Sequence, residues 1–493
     1  MGPCRPHRPP GRPQARPRAQ ESLALEPAAL LGKPGADEVR KFYGDHPELF
    51  ANRKVYRLEE FVFSKSPEVQ ASVREQLVEK RAAEQGYDLT VDWRDYPTAM
   101  PMVETVAVGL HVDTGSRHET ARINGIAHLF EHMAFKGTAT RSARAIAEAI
   151  EDVGGSLNAY TARDMTVFHA RLLAEDLGLG IDLIADLVRA PAFDEAELER
   201  ERQVVLQELG EARDTPDDIV FDHLQEAAFP DQPLGRSILG SEDSIAGLDA
   251  AMLRDWLATH YLAGSCVISA AGKVDHDALV ALVAARFGDL PAGTRPLAVP
   301  GRFAGDVRHD ARKFEQAHLT LGYRAPGHDD ADHDAVLLFA TAAGGGMSSR
   351  LFQELREARG LAYSIYASTT PYAETGLFSV YMATAKRDAA RAIALSEAVL
   401  AQCAAGLEPA ELARARAQVR AGLLMALEGP AGQAEYLARQ LLLRGRIVPP
   451  AEVIARLDAC DVDMVRAAGA RLLAGPVARA SVGAAAPRVR KAA

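Results

Sequence analysis

Two histidines and a glutamate stand within one five-residue segment, at His128, Glu131 and His132. A helix has about 3.6 residues per turn, so these three side chains share one face if the segment is helical. Imidazoles on adjacent turns can bind one zinc ion, and a carboxylate beside them can take a proton from a water molecule on that ion. The order His-x-x-Glu-His is the inverse of the commoner His-Glu-x-x-His and is typical of one class of metal-dependent hydrolases. The pattern therefore predicts a hydrolytic zinc site.

The residues around this motif favour a helix with one polar face. Apolar residues flank the motif from Ile126 to Phe135, and Gly137 stands where such a helix would end. Burying three polar groups without partners would be costly, which favours a ligand. A histidine pair whose hydrogen bonds are satisfied on a surface or in a core is the alternative interpretation.

The acidic segment over residues 194–214 is the best source of a third ligand, which a catalytic zinc site needs. Asp194 can cap a helix here, and leucine and valine residues mark one apolar stripe. Glu201 and Glu208 are seven residues apart and share one side of this helix. A solvated acidic face is the alternative, but the apolar neighbours of Glu208 favour a ligand.

Several longer stretches resemble the pitrilysin/insulinase metallopeptidases, and most of all the bacterial members similar to the β subunit of mitochondrial processing peptidase. They occur in a consistent order and extend roughly from residue 102 to residue 485, which is far more specific than one short motif. The stretches are VETVAVGLHVDTGSRHE, GIAHLFEHMAFKGT, GGSLNAYTARDMT, ERERQVVLQEL, PLGRSILG, EQAHLTLGY and GGGMSSRLFQELREARGLAYS.

This resemblance implies roles for the motif residues. The family places its glutamate ligand 76 residues after the second histidine, a position that Glu208 holds here. His128, His132 and Glu208 would then bind one Zn²⁺ per chain. Glu131 would be the general base, and Glu201 an accessory carboxylate that orients a ligand.

Composition limits the other functional classes. The net charge of −11 argues against a nucleic-acid-binding protein. No apolar run of about 18 residues occurs, so we expect no membrane span. The cysteines have no metal-binding or disulfide spacing, which favours a reducing compartment and a cytoplasmic location, with a mitochondrial or periplasmic one left open. They are Cys4, Cys266, Cys403 and Cys460.

The length of 493 residues suits two or three domains. Residues 1–95 do not match the family pattern and are interpreted as a partly disordered N-terminal extension with a charged helix over 66–88. The zinc-binding domain is predicted over 96–295. A linker rich in proline, glycine and arginine follows over 296–312, and an inactive homologous domain over 313–493.

An internal repeat supports this division. The segment that begins at Asp194 is similar to one that begins at Glu408, and in the second copy Ala415 and Gly422 replace the two glutamates. Strand-like segments such as ETVAVGLHV and MTVFHARLL alternate as half-buried strands do, and helical segments follow them. We therefore predict an α+β fold with two α/β-sandwich domains, each with a largely antiparallel sheet packed against helices.

Family resemblance also implies how a substrate would bind. Asn158 and Ala159 lie on a predicted edge strand to which a peptide would add as a further β-strand. Arg356 and Tyr363, seven residues apart, would hold the substrate. An ordinary Gly-Gly turn before a strand and a helix-surface arginine are the alternatives at these two places.

The predicted function is that of a zinc-dependent endopeptidase acting on peptides or unfolded, presequence-like segments. In related proteins the arginine–tyrosine pair faces a zinc site in another half of the assembly, so a homodimer, or a heterodimer with a homologous chain, is expected. The alternative is a non-catalytic structural or assembly subunit of a processing-peptidase-like or respiratory complex. Such relatives have lost a ligand or the base, whereas this chain keeps all four positions.

Overall fold

The computed structural model describes residues 103–293 and 295–483, which form an α+β fold with two similar halves, as predicted. The extension predicted over residues 1–95 and its helix over 66–88 lie outside the described residues. In the first half the strands are β1 (Thr105–Val112), β2 (Ser156–Thr161), β3 (Thr166–Leu173) and β4 (Cys266–Gly272). Its helices are α1 (Ile126–Ala134), α2 (Ala143–Glu151), α3 (Leu177–Arg189), α4 (Glu195–Asp214), α5 (Pro216–Ala228), α6 (Glu242–Ala246), α7 (Ala250–His260) and α8 (His276–Phe287).

The second half repeats most of this order of elements, with one additional strand at its start. Its strands are β5 (Val307–Asp310), β6 (Ala317–Ala325), β7 (Ala362–Pro371), β8 (Gly376–Thr384) and β9 (Val477–Val482). Its helices are α9 (His333–Gly344), α10 (Ala389–Gly406), α11 (Pro409–Ala426), α12 (Pro430–Arg444), α13 (Pro450–Ala459) and α14 (Val462–Leu473), and a π-helix spans Phe352–Glu357. The repeated segments recognised in the sequence are helices α4 and α11.

Each half contains one sheet. The first sheet has the order β2-β3-β1-β4 and is antiparallel throughout, so β2 is an edge strand, as predicted. The second sheet has the order β5-β9-β6-β8-β7, and only the β5–β9 pair is parallel. Helices of the same half cover the inner face of each sheet and enclose a separate apolar core.

The outer face of each sheet is covered by a helix from the other half. Helix α5 of the first half packs on β6 and β9, and helix α12 of the second half packs on β1 and β4. Leu224 of α5 approaches β6 at Gly322, where a Cβ atom would lie 2.9 Å from the Leu224 Cδ1 atom. The two halves therefore exchange one helix each.

This exchange corrects one sequence prediction. Strand β1 was expected to be half-buried, but seven of its eight residues are buried. Ala107 and His111, whose side chains lie on the α12 side, are as inaccessible as the residues that face the core. The alternating pattern reports which face is apolar, and it carries no signal for a helix from the other half.

A buried arginine joins the two halves near the motif helix. The Arg117 guanidinium donates to Asp164 at 2.7 Å, in the turn between β2 and β3, and to Glu374 at 2.6 Å, in the turn between β7 and β8. It also donates to the carbonyl oxygen of Val299 at 3.3 Å, and only 2% of its side chain is exposed. Equivalent turns of the two halves thus meet at one cation.

The predicted linker over residues 296–312 stays a prediction. Strand β5 falls within these residues, and the backbone before it pairs with the end of α5, where Ala304 N–H donates to Ala228 O and Asp306 N–H to Ala227 O, both at 2.9 Å. The segment is therefore held against the first half over part of its length.

Two further sequence predictions concern the cellular compartment and the presence of a membrane span. Cys266, Cys403 and Cys460 are free thiols, and the compartment stays a prediction. Within the described ranges no single helix is long and apolar enough to cross a membrane, although Lys386–Gly406 and Pro409–Ala426 satisfy that test as a pair across a bend of 104°.

Candidate metal and catalytic site

Helix α1 carries the His-x-x-Glu-His motif, and its burial divides it into two faces. Every residue of α1 is buried except His128, Glu131 and His132, which are partly accessible. The three polar side chains therefore share one face, as the spacing predicted. The helix ends at Ala134, three residues before Gly137.

A tight backbone arrangement sets where α1 begins. Gly125 precedes the helix with a φ of +91°, a left-handed conformation that favours glycine. A Cβ atom there would lie 2.6 Å from Ile245 Cδ1 and 2.9 Å from Leu239 O. Glycine at this position allows α1 to start against the loop before α6.

A buried carboxylate caps the start of α1 from a distance in sequence. Glu119 accepts hydrogen bonds from Gly125 N–H at 2.8 Å, from Ala127 N–H at 2.9 Å and from the Asn124 side-chain amide at 2.8 Å. These bonds satisfy amides that a helix leaves free at its N-terminus. Burial nevertheless raises the pKa of Glu119 to about 7. The Glu119 side chain therefore caps the motif helix from outside the helix itself.

Helix α4 brings the third predicted ligand to the motif. Asp194 caps α4 as predicted, accepting from two backbone amides of the first turn. Glu208 Oε2 then lies 3.8 Å from His128 Nε2 and 3.6 Å from His132 Nε2. In the part of the chain that the structure describes, these three residues are the one group of histidine, cysteine and carboxylate side chains arranged to hold a metal ion.

Glu201, two turns before Glu208 on α4, contacts His132 at the ring nitrogen that does not face Glu208. Its Oε2 atom lies 3.0 Å from His132 Nδ1, and its Oε1 atom forms an ion pair with Lys136 Nζ at 2.7 Å. A proton on Nδ1 can therefore be donated to Glu201, which leaves the Nε2 lone pair directed toward Glu208. The structure thus brings Glu201 into contact with His132, and the accessory role that the family resemblance implied for Glu201 stays a prediction.

Glu131 lies on the same face of α1 and is held by strand β2. The Thr161 hydroxyl donates to Glu131 Oε2 at 2.6 Å. Burial raises the pKa of Glu131, while this hydrogen bond and the nearby His132 oppose the shift. A carboxylate with a raised pKa is a stronger base than one in water, as proton abstraction from water requires.

The donor set fits a zinc ion. Tetrahedral zinc with bonds of about 2.1 Å places its ligand atoms about 3.4 Å apart, close to the separations found between Glu208 and the two histidines. Burial lowers the pKa of His128 to about 4, so its imidazole is neutral near pH 7 and has a free lone pair. Two imidazoles and a carboxylate are a common catalytic zinc ligand set.

The predicted substrate-binding residues fall into two places. Asn158 is exposed on edge strand β2, and the buried Ala159 follows it. Arg356, on the π-helix, lies with its guanidinium 5.5 Å from the ring centre of Tyr363, which is 76% exposed where a bulge interrupts the start of β7. Arg356 and Tyr363 therefore lie beside each other in the second half, whereas the motif helix α1 belongs to the first half.

Comparison with protein families decides which family the chain belongs to. Residues 98–242 match the family model described as Insulinase (Peptidase family M16), and residues 247–419 match the model described as Peptidase M16 inactive domain. The chain belongs to the insulinase family of peptidases. The segment matched by the insulinase model contains His128, Glu131, His132 and Glu208.

Similar proteins of this family occur in distant bacteria. A protein named "Uncharacterized zinc protease" from Mycobacterium tuberculosis is 39% identical over 381 residues, which are 76% of this chain and 87% of that protein. Another with that name from Bacillus subtilis is 36% identical over 372 residues, covering 74% and 90%.

Solved structures share the fold. The "peptidase M16 inactive domain" from Pseudomonas fluorescens superposes with a TM-score of 0.73 at 24% identity, covering 79% of this chain and 95% of that one. A chain of the "Complex III2 from Candida albicans" gives 0.68 at 21% identity, covering 78% and 92%. At these identities the likeness concerns the fold alone.

Within this insulinase-family chain the second half lacks the equivalent donors. Ala415 of α11, which replaces Glu201, is 2% exposed, and Gly422 replaces Glu208. The helix at the place of α1 is α9, which holds no His-x-x-Glu-His motif. The second half therefore has a fold similar to that of the first half but lacks the metal-donor residues.

Sequence reasoning missed several residues that shape this site. Glu119 caps α1 although it stands six residues before Gly125, so rules that inspect the capping position alone do not find it. Arg117 and Lys136 had no signal except their position inside the family-like stretches. Thr161 lies in the family-like stretch GGSLNAYTARDMT, but no role was predicted for it, and its hydrogen bond to Glu131 was missed.

Proposed function

We propose that this chain is a zinc-dependent endopeptidase in which His128, His132 and Glu208 bind the metal ion. The observation that carries the proposal is the convergence of these three donors beside the carboxylate of Glu131. The names of the relatives, which call them zinc proteases, support the same metal and reaction.

The chain's own residues account for most of the chemistry. Zinc, when bound by this ligand set, supplies a Lewis acid that polarises the peptide carbonyl and makes water more acidic. Glu131 takes a proton from the attacking water and later delivers it to the leaving amine nitrogen, as a C–O bond forms and the C–N bond breaks. Glu201 keeps the His132 imidazole in the tautomer whose Nε2 atom is free to bind metal.

Peptides in an extended conformation are the proposed substrates. Edge strand β2, which carries Asn158 and Ala159, has one backbone edge that no other strand of its sheet pairs with, and addition of a peptide strand there would depend little on side-chain sequence. The exposed pair Arg356 and Tyr363 supports a second contact to substrate, in a site that a homologous or identical partner chain would complete. Unfolded and presequence-like segments satisfy this requirement because their backbones are free to pair.

The test combines one substitution with metal analysis. Glu131→Gln keeps the shape of the side chain and removes the base, so we expect turnover of a library of unstructured peptides to fall by roughly 10²-fold or more while the zinc content stays at the wild-type level. A zinc chelator should abolish wild-type activity, and added Zn²⁺ should restore it. Glu195→Gln, at an exposed position in the first turn of α4, is the matched control and should leave turnover unchanged.

Two results would contradict the proposal. Wild-type turnover by Glu131→Gln would remove Glu131 as the base, and activity that survives complete metal removal would remove zinc. A wild-type protein that binds zinc and cleaves no member of the library would favour the alternative hypothesis of a non-catalytic assembly subunit.

A further inference from the structure

Thr161 has a contact that the family comparison does not explain. Its hydroxyl oxygen lies 2.6 Å from Glu131 Oε2 and 3.4 Å from the backbone oxygen of Ala127. A hydroxyl group has one hydrogen to donate, and the shorter bond to a carboxylate is the stronger one. Thr161 therefore donates to Glu131.

The backbone that carries Thr161 is fixed at the end of its strand. Thr161 pairs with Thr166 of β3, and Ala162 N–H donates to Met165 O at 2.8 Å to close the turn between them. The turn is also bonded to the segment before α1. The contacts are Ser116 N–H to Ala162 O at 3.1 Å, Arg117 N–H to Arg163 O at 3.0 Å, and the ion pair of Arg117 with Asp164 at 2.7 Å.

The Thr161 side chain is as constrained as its backbone. A β-branched side chain has few χ1 rotamers, so a fixed backbone fixes the direction of the hydroxyl. With Oε2 of Glu131 engaged, its Oε1 atom has no hydrogen-bond partner among the described residues. One carboxylate oxygen is thus anchored and the other stays available for a proton.

We propose that Thr161 is a positioning residue that holds the carboxylate of Glu131 in the orientation needed for proton transfer. This inference rests on the proposed function, because it assigns a purpose to the orientation of the general base. Strand β2 then has two tasks. Its outer edge offers backbone groups to the substrate, and its last residue orients the base, so the substrate and the base are located by the same strand.

The opposite faces of β2 separate this role from simple strand packing. Successive side chains on a strand point to opposite faces, so Thr161 points to α1 while Tyr160 points to α12. The Tyr160 hydroxyl donates to Glu435 of α12 at 3.1 Å. The contact that fastens the strand to the other half is therefore distinct from the contact that reaches Glu131.

Substitution of Thr161 by valine tests the proposal, because valine keeps the shape and removes the hydroxyl. We expect kcat to fall roughly ten- to a hundred-fold, since a displaced catalytic group reacts more slowly, while KM stays within about twofold. Zinc content should stay at the wild-type level. Thr161→Ser, which keeps the hydroxyl, should recover most of kcat. In the inactive Glu131→Gln background, Thr161→Val should leave the Kd of a bound peptide unchanged.

Thr166→Val is the matched control. Thr166 is the direct neighbour of Thr161 on β3, is 1% exposed, and donates its hydroxyl to Thr114 O at 2.9 Å without reaching Glu131. Its substitution should leave kcat unchanged. If Thr161→Val does not accumulate as folded, zinc-loaded protein, Thr161→Ala provides the same comparison without the added methyl group.

Three outcomes would overturn the inference: an unchanged kcat in a zinc-loaded Thr161→Val protein, an equal loss of kcat in Thr166→Val, or a weaker peptide Kd in the Glu131→Gln background. An inactive Glu131→Gln protein beside a fully active Thr161→Val protein would overturn this inference alone. Activity in Glu131→Gln would overturn the proposed function itself.

Discussion

Removal of the Arg117 guanidinium should destabilise the whole chain and not the site alone. Arg117→Ala would leave Asp164 and Glu374 without the cation that both contact, and their side chains are only 16% and 35% exposed. Breaking a buried ion pair from one side typically costs 3–5 kcal/mol, because the remaining charge stays poorly solvated. Glu374 is the more exposed partner, which places the expected loss at the lower end, about 3 kcal/mol.

Urea denaturation followed by circular dichroism measures this loss. With a slope of roughly 3 kcal/mol per molar urea, the midpoint should fall by about 1 M. Arg144→Ala is the control, because Arg144 pairs with Glu148 across one helical turn with both side chains largely exposed, and its loss should cost no more than about 0.5 kcal/mol.

A chain with both acids neutralised separates two parts of the free-energy cost of Arg117→Ala. One part comes from the broken ion pairs, and the other comes from the lost side-chain volume. In a chain that carries Asp164→Asn and Glu374→Gln, the further change Arg117→Ala should cost clearly less than in the wild-type chain, because no carboxylate is left unpaired. An Arg117→Ala protein less than about 1 kcal/mol below wild type would refute the reasoning, as would an equal cost in both backgrounds.

Two more predictions concern the metal site and the response to acid. Glu201→Gln should keep the fold and weaken zinc binding by roughly 10- to 100-fold in a competition titration with a chromophoric chelator, because the His132 imidazole loses its charged partner, and unchanged affinity would contradict the assigned role. Burial lowers the pKa of His111 to about 4, so between pH 6.5 and pH 4 the unfolded chain binds a proton there that the folded chain does not, and stability falls as the pH falls. This one group contributes about 3 kcal/mol over that range. The urea midpoint of His111→Gln should therefore fall less between pH 7 and pH 4.5 than that of wild type. If the two urea midpoints fall equally with pH, His111 is not a source of acid sensitivity.

The candidate residues of the site could be predicted from the sequence because they are regularly spaced along two helices. The i, i+3 and i+4 positions of α1 and the seven-residue spacing on α4 both follow from helical geometry, so one face of each helix was known before the structure. That Glu208 and not another acid meets the histidines depended on the family resemblance, since helical spacing alone does not orient one helix against another.

The contacts that were missed join distant segments. The pattern of β1 showed an apolar face, but the helix that covers its other face lies in the second half of the chain, beyond the reach of any local rule. Glu119 was overlooked because helix-capping rules inspect the residue at the helix start, where Gly125 stands. The hydrogen bond from Thr161 to Glu131 depends on how the end of β2 packs beside α1, which no sequence period encodes.

The exchange of helices α5 and α12 has a consequence for how such a chain can change over generations. A duplicated gene segment that loses its metal donors is ordinarily free to be deleted. Here deletion of the second copy would strip α12 from the first sheet and leave the apolar residues of α5 in water, among them Val220 and Leu224. The first half therefore needs the second half for its fold, even though the second half has Gly422 at the place of the donor Glu208.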